Sequence, residues 1–261
     1  MPPIATRVIC VQSISRRHTH VTPQMRSLLL LLLAGAVACG KKGEMGRMAQ
    51  SLRGCCSGNS DVDVAKLLDA ANGYCKTLEG FGRFVGPSVA NVRGCMEKVT
   101  TARAELQAQT RKKLKTIKEL LQLERESHQP GGVLADPSAA MGLLWLRRAL
   151  EYWADVFEQQ AEALGRRQRS GRAVLTLAAQ CESSYKRLVE PFHGWVSRRA
   201  FGIALGLTPD WSDVRERAGL SESDEALRQE LTSVVTATRE LCGRLRKLHV
   251  KLDLEDRRKS I

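Results

Sequence analysis

Aromatic residues are scarce in this chain, with 4 Trp, 3 Tyr and 5 Phe among 261 residues. A core so poor in rings must be built mainly from Leu, Val and Ala, which suits helices better than strands. No alternating apolar–polar run marks a strand, and no repeat of fixed period is seen. The loops that carry common enzyme chemistry are missing as well: there is no GxSxG elbow, Walker loop, GxGxxG or HExxH. The histidines (His18, His20, His128, His193 and His249) are not spaced with carboxylates in a way that suggests a metal site. The eight cysteines include no CxxC pair, so a disulfide framework is not expected in a chain this long and helical. They read as reduced, small core residues, with the adjacent Cys55 and Cys56 as candidates for acylation. No metal, cofactor or enzymatic activity is expected.

Acidic residues are absent from the start of the chain. The first is Glu44, and the segment before it carries +6 of the net +13. The body is therefore moderately basic, which fits nucleic acid or an anionic membrane surface. Nucleic-acid binding lacks its other marks, namely RNP aromatics, zinc-finger spacing or a basic region joined to heptads. A peripheral membrane surface is the expected partner, with no nucleic acid.

A long apolar run is also missing. Residues 27–39, SLLLLLLAGAVAC, are too few for a spanning helix, which needs about 20. They fit a signal-peptide core followed by small residues. The Arg-containing flank also resembles a transit peptide, and Met25 is an alternative start. Residues 1–43 are accordingly set apart as a targeting-like or misassigned segment. Residues 44–60 read as a linker, 61–256 as the folded domain and 257–261 as a basic tail.

Helical signals fill the domain. Asp61 or Ser60 can cap a first helix, and Pro87-Ser88 starts the next. The run Leu143, Leu146, Leu150, Trp153, Phe157, Ala161 and Leu164 recurs at steps of three and four. The segment SESD (221–224) resembles a capping box and opens a last helix with Leu227, Leu231, Val234, Thr238, Leu241, Leu245 and Leu248 on one stripe. The fold class is all-α, with six to eight helices.

Three segments carry candidate recognition chemistry. In MGLLWLRRALEYW (141–153), Met141, Trp145, Arg148 and Tyr152 share a helix face beside the core stripe. A Trp so placed can offer a flat ring to a sugar, with a cation beside it. In CESSYKRLVEPFHGWVSRRAF (181–201), His193 sits at a Pro-broken junction beside Gly194 and Trp195. In FGRFVGPSVANVRGCMEK (81–98), Asn91, Cys95 and Lys98 fall at i, i+4 and i+7.

Together these segments resemble the glycolipid transfer protein family over roughly residues 62–256. WLRRAL looks like that family's tryptophan helix, and FHGW like its histidine motif, with Cys181 and Tyr185 in keeping. The terminal LRKLHVKLDLED is similar to its C-terminal segment. The resemblance implies a two-layer helical sandwich enclosing a lipid pocket, acting as a monomer in the cytoplasm at membrane surfaces. Its cargo would be a glycosphingolipid or other sphingolipid, moved between membranes unchanged. It places Trp145 against the first sugar, His193 on the ceramide amide carbonyl, and Lys98 on the sugar. Met141, Arg148 and Tyr185 would lie at the head-group periphery, and Trp195 at the membrane.

Two positions depart from the family pattern. The family usually has Asp where Asn91 falls, and a polar Asn or basic residue where Cys95 falls. Replacing a charge-assisted hydrogen bond with a neutral one at Asn91 costs about 1 kcal/mol. A branch that carries ceramide-1-phosphate has basic residues where Met141 and Trp145 stand, and their absence argues against it. That lipid, or a helical adaptor without lipid transfer, is the alternative reading.

Overall fold

Local capping decides where the helices begin. The structure, a computed structural model, describes residues 43–57, 61–128, 133–170, 175–256 and 258. The run 27–39 lies outside the described residues. Nine α-helices occur among those described: α1 (Glu44–Gly54), α2 (Val64–Glu79), α3 (Gly86–Thr110), α4 (Ile117–Glu124), α5 (Ala139–Ser170), α6 (Leu177–Leu188), α7 (Trp195–Leu205), α8 (Trp211–Arg217) and α9 (Asp224–Lys251). A two-residue antiparallel pair, β1 (Cys56–Ser57) with β2 (Asp61–Val62), is the sole sheet among them.

Asp63, rather than Asp61 or Ser60, caps α2 by accepting from Lys66 N at 2.9 Å. Pro87 sits in the first turn of α3, where its missing N–H costs nothing. Thr116 and Glu119 form a reciprocal capping box on α4. In the SESD run it is Ser223 that caps α9, accepting from Ala226 N.

From residue 61 on there are eight helices, within the expected six to eight, and α1 brings the described total to nine. Residues 44–60, expected as a linker, carry α1 instead. Met45, Met48, Ala49 and Leu52 lie at i, i+3, i+4 and i+7 and are buried, against α9 and α2. That stripe would be exposed to water in a linker, and its burial is what makes the segment helical. Cys55 is fully buried, its thiol directed at the Ser51 and Lys66 carbonyls, which removes it as an acylation site. Cys75, Cys95, Cys181 and Cys242 are likewise buried free thiols.

Helix α5 packs on α9, α3, α6 and α4, and three devices hold it. The first is at its N-terminus, where the buried Glu124 carboxylate accepts from Ala139 N at 2.6 Å and Ala140 N at 2.7 Å. This satisfies two of the orphan donors of the first turn and lets that turn be buried. The second is Gly142: a Cβ there would lie 2.7 Å from the Cys95 carbonyl oxygen, so α3 and α5 touch backbone to backbone. The third is the C-terminal segment. Arg147 pairs with Glu255, Nη1 to Oε2 at 2.9 Å, and Arg148 Nη2 donates to the Asp256 carbonyl at 2.7 Å. Asp256 in turn accepts from Leu134 N and pairs with Arg258, so part of the expected basic tail folds back onto the domain.

Candidate functional site

Helix α3 presents Asn91, Cys95 and Lys98 to one polar cavity of about 300 Å³, with Trp145 and His193 on its other walls. Asn91 is exposed, and Cys95 is buried at the base. Burial pushes the Cys95 thiol up to about 12, so it stays neutral. Lys98 forms an ion pair with Asp136, which sits on the loop before α5.

The opposite wall is a ring cluster. The Trp145 indole stacks on the His193 imidazole with centroids 5.6 Å apart and 30° between planes. The Arg148 guanidinium lies 4.8 Å from the Trp145 ring centroid and 3.7 Å from that of Phe192. Burial first, then the neighbouring Arg147, lowers its pKa to about 10, so it remains a cation, wedged between two rings. The Tyr185 hydroxyl is 3.0 Å from His193 Nδ1. Burial, then Arg198 and Arg148, lowers the His193 pKa, which keeps the ring neutral near pH 7. Where the Tyr185 O–H donates to Nδ1, the proton of the neutral ring lies on Nε2.

Behind this cluster lies a second cavity of about 300 Å³, bounded by α3, α5, α6 and α7 and largely apolar. Phe84, Val85, Tyr152, Val189, Phe201 and Leu205 are among its walls. Asn91, Trp145, His193 and Ser197 line both cavities. The two spaces therefore meet at one amide, one indole, one imidazole and one hydroxyl. A polar cavity thus adjoins a largely apolar one, an arrangement suited to an amphiphile.

The structure thus brings Asn91, Cys95, Lys98, Trp145 and His193 together, with Arg148 and Tyr185 behind them. Met141, expected at the periphery of the head group, is not there. It is fully buried in the core, because the capped first turn of α5 is itself inside the protein. Trp195 is apart from the cluster, 77% exposed at the start of α7. Asp136, Phe192 and Phe201 were not singled out from sequence. Phe192 had a signal, being the first residue of FHGW. Asp136 had none beyond an Asp-Pro loop, and its pairing with Lys98 spans 38 positions.

A family model described as glycolipid transfer protein matches residues 62–219. Glycolipid transfer protein 3 of Arabidopsis thaliana is 25% identical over 136 residues, 52% of this chain and 53% of that protein. The chain thus spans about half the length of the curated relatives it matches. Human ceramide-1-phosphate transfer protein, solved with 12:0 ceramide-1-phosphate, superposes with a TM-score of 0.67 at 19% identity, covering 81% of this chain and 97% of that one. A fungal glycolipid transfer protein, HET-C2, gives 0.57 at 21% identity, covering 75% and 89%. These structural likenesses establish the fold, an all-α helical sandwich. The family match covers more than half of the residues, and on it the chain belongs to the glycolipid transfer protein family.

Proposed function

We propose that this protein is a non-enzymatic carrier that takes one sphingolipid, by preference a neutral glycosphingolipid, from one membrane to another. The observation that carries the reading is the junction of the polar and apolar cavities at Asn91, Trp145 and His193. Trp145 offers a ring face to a sugar, whose C–H surface packs on aromatics. His193, with its proton on Nε2, donates to the ceramide amide carbonyl. Asn91 accepts from the amide N–H through its side-chain oxygen. The lipid chains supply most of the affinity, since each buried CH₂ contributes about 0.8 kcal/mol. Selectivity falls to the polar cavity.

Docking to the membrane is assigned to α7. None of its residues is buried, and Trp195 and Ile203, with Leu207 just beyond, are 77%, 66% and 64% exposed. Arg198 and Arg199 on the same helix add attraction to anionic lipid. Among the described residues no helix is long and apolar enough to cross a membrane. The site is set against a phosphate head by chemistry: Trp145 occupies a wall where a monoester needs a cation, and Lys98 is already paired.

The test is transfer of labelled galactosylceramide, glucosylceramide and ceramide-1-phosphate between vesicles. The expected result is transfer of a hexosylceramide, abolished in Trp145→Ala and His193→Leu. Transfer of ceramide-1-phosphate alone would move the protein to the phosphate-reading branch. Transfer of none would favour an adaptor without lipid traffic.

A further inference from the structure

We propose that Asp136 is a specificity-determining residue: from the loop before α5 its carboxylate neutralises Lys98 and supplies the anionic acceptor absent at Asn91, so that the head cavity takes an uncharged sugar and turns away a phosphate. The inference rests on the carrier reading above and adds to it a source for the head-group choice.

Charge in a small space decides which head group the cavity takes. Among the residues lining the polar cavity, Lys98 and Asp136 are the two that carry full charge, and they are paired with each other. His193 is held neutral by burial and by Arg198 and Arg148. Two further cations touch lining residues: Arg148 is held by the Asp256 carbonyl and stacked between Trp145 and Phe192, and Arg198 is held by the His193 and Glu190 carbonyls and paired with Glu190. The cavity is therefore close to neutral. A phosphate monoester carries about −1.5 to −2 at pH 7 and would find one cation already matched and a carboxylate beside it. A sugar hydroxyl meets the reverse: a carboxylate oxygen to donate to and an ammonium to accept from, both charge-assisted. The side chains of Lys98 and Asp136 are 32% and 36% exposed, so a head group can reach both without dismantling the fold. Asn91 and Asp136 thus divide the work. The amide at the junction reads the lipid's own amide, and the loop carboxylate reads the sugar.

The experiment is equilibrium binding of short-chain galactosylceramide and ceramide-1-phosphate to the full chain, followed by tryptophan fluorescence. Asp136→Asn, Lys98→Met, Asn91→Asp and the double variant Asn91→Asp/Asp136→Asn are compared with the parent. The parent should prefer galactosylceramide. Asp136→Asn frees Lys98 and should shift the preference about tenfold toward ceramide-1-phosphate, the size of one charge-assisted contact. The double variant, with a carboxylate returned to the cavity, should regain most of the preference for the sugar. Lys98→Met should not gain ceramide-1-phosphate binding, and this holds the test open should Asp136→Asn fold poorly. If the parent binds sphingolipid but its preference is unmoved by Asp136→Asn, the assignment of Asp136 fails and the carrier reading stands. Gain of ceramide-1-phosphate binding by Lys98→Met has the same meaning. If the parent binds neither lipid, the carrier reading itself falls and the role of Asp136 with it.

Discussion

Tyr185→Phe removes a single oxygen atom from the site. The hydroxyl lies 3.0 Å from His193 Nδ1, while the ring stacks on Phe201 with centroids 3.6 Å apart and 6° between planes. Phenylalanine keeps that stack, so packing is conserved and the hydrogen bond alone is lost. Burial, and after it Glu190, raises the Tyr185 pKa, so the hydroxyl is protonated across the physiological range and remains a donor. Its loss leaves Nδ1 without its partner and lets the imidazole take either tautomer, in one of which Nε2 cannot donate to the lipid. A neutral hydrogen bond contributes about 0.5–1.5 kcal/mol. With a central value of about 1 kcal/mol, hexosylceramide should bind about fivefold more weakly. The measurement is a Kd for galactosylceramide beside a thermal melt, with His193→Leu as the reference for full loss. An unchanged Kd would refute the idea that Tyr185 orients His193. A weakened Kd matched by a large fall in Tm would make Tyr185 a packing residue only.

Other expectations concern how the site is held. Gly142→Ala places a methyl group against the Cys95 carbonyl, a backbone atom that cannot step aside; overpacking of this kind costs about 1–3 kcal/mol and should lower both Tm and lipid affinity, since α3 and α5 carry opposite walls. Glu124→Ala strips two buried N–H groups of their carboxylate acceptor and should cost about 3 kcal/mol, read by denaturant midpoint, with Glu124→Gln milder. Stability should fall on the acid side. His193 and His249 have lowered pKa values, burial being the first cause in each, so below the ordinary value of 6.5 the unfolded chain binds more protons. Their contribution is full above that pH and is lost as pH drops through the folded values. Glu255 and Asp256 act in the same direction at lower pH: burial alone would raise them, but Arg147 and Arg258 respectively outweigh it. A Tm that rose between pH 7 and 5 would contradict this. Amide exchange should find α7 opening far more readily than α5 and slowing when lipid is bound.

Much of the fold was legible because helix burial repeats at short range. Leu143, Leu146, Leu150, Trp153 and Phe157 are all essentially inaccessible, as their three-and-four spacing required. Helix α1 was hidden because its stripe is only four residues long and is flanked by Gly43, Gly54 and the Cys pair, which read as chain-breaking. Met141 was misplaced for a different reason. Helical geometry puts it on the Trp145 face, but whether the first turn of a helix is wet or buried depends on its cap, and Glu124 arrives from another helix. Asp136 illustrates the same limit at the site itself. Spacing within α3 brings Asn91, Cys95 and Lys98 into line, yet nothing local says which loop carboxylate will meet Lys98.

These contacts divide the protein into a firm side and a soft one. Helix α5 is fixed at its first turn by Glu124, along its flank by Gly142, and past its middle by the clasp of Arg147 and Arg148 on Glu255 and Asp256. The proposed head-group residues Trp145 and Arg148 ride on that helix, and Lys98 faces it across the tight contact at Gly142. Helix α7 has no buried residue, and it forms one wall of an apolar cavity of about 300 Å³, at the small end of pockets that hold drug-sized ligands, roughly 300–1,000 Å³. On the carrier reading proposed above, a two-chain lipid enters only as that wall yields. The division follows from what each part must do. Head-group choice depends on distances between a few polar atoms and needs a frame that does not move. The chains are held by non-directional burial, which tolerates a wall that opens and closes. On that reading, head-group preference belongs to the α3–α5 frame and the speed of loading to α7.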